Sequence, residues 1–159
     1  MADLRHNKAL TLVEILVVVA IIAVLATFVI TLTLRVENTS KQKALANAVA
    51  LLDAALQEYR EYTGQFPVQP ERNSTRAAEH TALMYEALKS VPDSRNVLKQ
   101  IDSTLVEGDA DLPGQWQVHD MWGTVLDYVY VPGDNFPELI SAGPDRTFGT
   151  EDDISSRNL

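Results

Sequence analysis

From Ile15 to Leu34 the chain runs 20 residues without a formal charge, apolar on every side. It then continues, without Pro or Gly, into a one-sided pattern in which Leu45, Val49, Leu52, Leu56 and Tyr59 recur at steps of four, three, four and three. Steps of three and four place side chains on one face of an α-helix. The two patterns together predict one helix from about Thr11 to Tyr62, roughly 78 Å long at about 1.5 Å of rise per residue. Gly64 and Pro67 in TGQFP supply the stop.

The two halves of this helix call for different surroundings. Twenty uncharged, mostly apolar residues span roughly 30 Å, the thickness of a bilayer's hydrocarbon core. A secretory signal has a shorter apolar region of about 7 to 15 residues. A buried core helix would need more protein around it than this chain can offer. The striped half must bury its apolar face, and residues 63–159 are the part of the chain that can cover it. Within them TRAAEHTALMYEALKSVP predicts a short helix ended before Pro92, and SRNVLKQIDSTL a second. Beyond Pro113 the pattern turns to aromatic and β-branched runs, TVLDYVYV and ELIS, separated by PGDNFP. The expected fold class is α+β: a long N-terminal helix packed on a small antiparallel sheet.

Composition narrows the function. The chain has 159 residues, no cysteine and a formal net charge of −9, so no disulfide holds it together. Residues 101–159 carry twelve Asp or Glu and two Arg, which argues against nucleic-acid binding. His6, His80 and His119 are dispersed without Cys partners or an HExxH spacing, so no zinc site is expected, and neither a nucleophile elbow nor a phosphate loop is present. Nothing in the sequence points to an enzyme.

The acidic residues concentrate in ISAGPDRTFGTEDDI, residues 140–154. Asp145, Asp152 and Asp153 bring three carboxylates into one Gly-containing loop, a hard-oxygen set suited to calcium. Solvated turn acids are the plainer reading. Trp122 and Gly123, in DMWG, read as an aromatic core anchor beside a turn, with Asp120 bracing it.

Glu14 is the one carboxylate at the head of the apolar run, and its flanks give it a setting. A charged leader ends in Ala9, followed by Leu10, Thr11, Leu12, Val13 and Glu14. This resembles the processing site of type IV pilin-like proteins. The resemblance implies cleavage by a prepilin peptidase between Ala9 and Leu10, methylation of the new Leu10 amino group, and a compensating role for Glu14 toward that cation during assembly. The helix end KQKALANAVALLDAALQEYREYTGQFP, the stretch DMWGTVLDYVY and the loop ISAGPDRTFGTEDDI are similar, in that order, to segments of the major pseudopilin of type II secretion systems. Ala9 stands where that family usually has Gly, Leu10 where Phe is common, and Thr31 near a usual Pro.

The resemblance implies a pilin-like fold with a leader over 1–9, a transmembrane and filament-core part over 10–34, and a periplasmic domain over 35–159 that includes the amphipathic helix half, 36–62. It implies structural calcium held by Asp145, Asp152 and Asp153 with backbone oxygens at Leu139 and Ser141. The function implied is that of a subunit in a periplasmic pseudopilus, anchored by one pass in the bacterial inner membrane with its N-terminus cytoplasmic. Its partners would be other copies of itself, minor pseudopilins, prepilin peptidase, the inner-membrane secretion platform, and membrane lipid before assembly. The alternatives are a surface type IV pilin and a monomeric single-span anchor presenting a binding domain.

Overall fold

A computed structural model describes residues 12–69, 71–108 and 115–159, and of residues 28–36 the backbone alone. Its contacts divide the chain into two units, Met1–Thr39 and Ser40–Leu159. Helix α1 (Leu12–Thr63) runs through both, matching the helix predicted from the pattern to within a residue at its C-terminus. It ends at Gly64, whose φ of 81° is the left-handed conformation that suits glycine, with the Gly64 N–H donating to Arg60 O at 2.8 Å.

In the second unit the stripe is the floor of the core. Leu45, Leu52 and Leu56 are fully buried and Val49 nearly so, with Tyr59 packed at the margin. Covering them are Met84 and Leu88 of α2 (Ala77–Ser90) and Leu98 of α3 (Pro92–Leu98), joined by Val118, Tyr128 and Leu139 from the strands and by Leu126 just before one of them. Pro92 plays both parts of its chemistry. It follows the end of α2 and occupies the first turn of α3, where its fixed φ and missing N–H cost nothing.

The single small sheet expected from the sequence is, among the described residues, two antiparallel sheets. One pairs β1 (Val106–Gly108) with β2 (Trp116–Val118); the other orders β3 (Asp127–Val129), β4 (Glu138–Ser141) and β5 (Ile154–Ser155) as β3-β4-β5. Strands of two to four residues explain the division, because none is long enough to carry a pairing edge across the whole domain.

Between α2 and β3 lies a polar joint. Buried His80 meets buried Asp127 with Nδ1 2.8 Å from Oδ1, Gln69 Nε2 lies 3.2 Å from the same imidazole nitrogen, and the Thr81 hydroxyl donates to Leu126 O. In a chain without cysteine, directional bonds of this kind fix how a helix sits on a strand where apolar contact alone leaves it free to slide.

Candidate functional site

Two segments concentrate the chemistry, one in each unit. In the first unit, Glu14 is in the first turn of α1 and exposed, where a carboxylate complements the positive end of the helix dipole. From Leu12 to Leu25 every large apolar side chain is exposed, Leu12 at 80% and Ile15 at 50% among them. The Thr27 hydroxyl donates to Ala23 O at 2.9 Å, the back-bonding that lets a hydroxyl sit on an apolar helix. The helical backbone continues through Thr31.

Among the described residues no helix is long and apolar enough to cross a membrane. The span expected over 10–34 lies partly outside the described side chains. Described side chains of that part run only from Leu12 to Thr27, short of the roughly 20 residues a span needs. Ala9 and Leu10 lie outside the described residues.

In the second unit the site is built on two turns. The first is DMWG. Asp120 is buried at 2% exposure, and its Oδ1 accepts the N–H groups of Trp122 and Thr124, both at 2.9 Å. The backbone closes the same turn, with Asp120 N donating to Thr124 O at 2.7 Å. Gly123 takes φ 84°, and the Trp122 ring is buried in the core cluster.

The second turn system is the acidic loop between β4 and β5. Gly143 has φ 65°, and a Cβ built there would stand 2.2 Å from the carbonyl oxygen of Asp152, so the loop closes on itself at the one residue with room for it. Arg146 is also left-handed at φ 61°. Each carboxylate is tied to a loop N–H group. Asp145 Oδ1 accepts Thr147 N–H at 2.8 Å, Asp152 Oδ2 accepts Asp145 N–H at 3.0 Å, and Asp153 Oδ2 accepts Gly149 N–H at 2.7 Å. The Thr150 hydroxyl, 2.5 Å from Asp152 Oδ1, is the main cause holding the Asp152 carboxyl below the usual range, with the Asp145 N–H second.

Among the described residues no group of three or more His, Cys, Asp or Glu side chains is gathered tightly enough to hold a metal ion. One oxygen nonetheless stands out: Asp153 Oδ1 is buried and has no hydrogen-bond partner among them. A buried carboxylate oxygen left without a donor is costly, and a cation is one means of satisfying it. Leu139 and Ser141 lie on β4, at the entry to this loop.

Sequence reasoning took Ser141 for its backbone oxygen and missed its side chain. The Ser141 hydroxyl donates to Asp120 Oδ2 at 2.6 Å and accepts the Gly143 N–H at 3.1 Å, joining the two turns. The adjacent Gly-Pro of SAGPD was the signal that a tight turn starts there. The His80–Asp127 joint had no sequence signal, since 47 residues separate its partners.

The fold and the head of α1 define a class, that of pilin-like α+β subunits. The family model "Prokaryotic N-terminal methylation motif" matches residues 4–30. Over 157 residues the chain is 36% identical to the type II secretion system core protein G of Escherichia coli (strain K12), covering 96% of this chain and 92% of that one. It is 31% identical to the protein of the same name from Pectobacterium carotovorum subsp. carotovorum, covering 97% of this chain and 86% of that one. No solved structure gives a significant match. The chain belongs to the type II secretion system core protein G family, pseudopilins whose members are structural subunits and not enzymes.

Proposed function

We infer that the chain is inserted with its N-terminus in the cytoplasm, cut after Ala9 by prepilin peptidase, methylated on Leu10, and drawn from the inner membrane into a periplasmic pseudopilus. The observation that carries this reading is the methylation motif over residues 4–30 at the head of a chain matched along nearly its whole length to core protein G. Glu14 lies inside that motif. Its carboxylate offsets the amino cation created by cleavage, on the same subunit or a neighbour, and so favours one axial register.

The exposed apolar surface of α1 packs against lipid before assembly and against other copies after it. Minor pseudopilins and the inner-membrane secretion platform are the further partners. In the second unit Asp145, Asp152 and Asp153 hold calcium, together with backbone oxygens at Leu139 and Ser141. The hard oxygen donors and the orphan Asp153 Oδ1 support this assignment. The ion, when bound, adds oxygen-ligand bonds that only the folded loop can offer.

Intact mass and N-terminal sequence of the protein from membranes of cells with and without prepilin peptidase test the reading. A peptidase-dependent start at Leu10, one methyl group heavier, is expected. An uncut start in both strains would overturn it in favour of a permanent single-span anchor.

A further inference from the structure

Asp120 and Ser141 are both buried, at 2% and 1% exposure, and neither belongs to the set of oxygens assigned to the ion by its side chain. A buried carboxylate must collect hydrogen bonds to be tolerated. Asp120 collects them from two places: Trp122 and Thr124 N–H on Oδ1, and the Ser141 hydroxyl on Oδ2. With its proton committed to Asp120, the Ser141 oxygen is oriented to accept, and what it accepts is the N–H of Gly143 at 3.1 Å. Gly143 is the residue against which the Asp152 carbonyl closes, and the Asp152 carboxylate in turn receives the Asp145 N–H. Hydrogen bonds therefore run from the DMWG turn to Gly143, and the close steric approach of the Asp152 carbonyl to Gly143 carries the connection on to the far end of the acidic loop.

We propose that Asp120 and Ser141 are positioning residues, a buried relay that holds the acidic loop in its cation-binding shape and makes the DMWG turn and that loop order as one unit. The calcium consequence rests on the reading given above; the ordering consequence does not. The direction of the relay follows from burial. The Trp122 turn is anchored in the core, whereas Asp145, Arg146, Thr147 and Gly149 are exposed. The buried end therefore sets the geometry of the exposed one, through a charge-assisted bond of the stronger kind.

The test uses the full chain in detergent micelles and compares wild type with Ser141→Ala and with Asp120→Asn. The Asn keeps an oxygen for Trp122 and Thr124 while replacing the acceptor of Ser141 by a donor. Hydrogen–deuterium exchange reads the first consequence. In both variants the amides over 143–153 exchange about tenfold faster than in wild type, while those of Trp122 and Thr124 stay protected, a split that loss of global stability would not produce. Wild-type exchange of the loop in both variants overturns the relay, as does uniform acceleration of every amide. If Ser141→Ala does not fold, Asp120→Asn decides alone.

Calcium titration by calorimetry reads the second consequence, with about tenfold weaker binding expected in the variants. Binding in wild type with unchanged affinity in the variants overturns the positioning role. No binding in wild type removes the calcium reading, and the exchange comparison then decides the relay by itself.

Discussion

Three residues show how local physics constrains this chain. Gly143 and Gly149 both have positive φ, but a Cβ at Gly149 meets nothing within 4 Å, while one at Gly143 collides with the Asp152 carbonyl. Alanine at 149 pays only the conformational cost of about 1 kcal/mol, whereas alanine at 143 must also push the loop open, and a loss of at least twice that is expected in urea unfolding. Equal losses for the two variants would mean that the loop does not close on Gly143. Asp53 supplies a pH signature. Burial raises its pKa from 3.8 to about 6, and its Oδ1 has no partner among the described residues. The folded chain therefore holds this proton more tightly than the unfolded one, so the group favours folding below about pH 4 and the benefit is lost as pH rises through 6. Asp53→Asn is expected to stabilise the protein by about 1 to 2 kcal/mol at pH 8, the full shift being discounted for partial exposure. That gain fades toward pH 4, and melting curves across the range check it.

At the scale of elements, α1 carries the core through its stripe. Leu52 is fully buried among residues of helix and strand. Leu52→Ala is expected to cost about 2 to 5 kcal/mol, read as a lower denaturant midpoint. A cost under about 1 kcal/mol would mean that the stripe is not the floor of the core. The stripe was legible because periodicity is local: steps of three and four need no knowledge of what covers them. The same holds for α2 and for β3 and β4, whose apolar runs lie between turn signals. It fails for β1 and β5, which lie in no apolar run between turn signals and whose identity as strands comes from their pairing partners. It fails again at Ser141, whose bond to Asp120 spans 21 residues. The acids of the loop could be counted in the sequence; which of their oxygens was left without a donor could not.

The whole molecule stands without disulfides, so a bound ion would take over part of their work by stabilising the folded form alone. Calcium in hundredfold excess over its dissociation constant is worth about 2.7 kcal/mol. Chelation should therefore lower the melting temperature of the full chain by several degrees, and an unchanged temperature would count against the ion. The exposed helix surface from Leu12 to Leu25 has a different consequence. On the function proposed above, the exposed Leu, Ile and Val side chains there would meet hydrocarbon tails and other such helices on nearly equal terms, because neither neighbour offers water to escape from. Extraction from a bilayer into a bundle of like helices is then close to isoenergetic for that stretch. A machine acting on such a subunit can run forwards or backwards with little thermodynamic resistance, and its direction is decided by whatever energy source drives it.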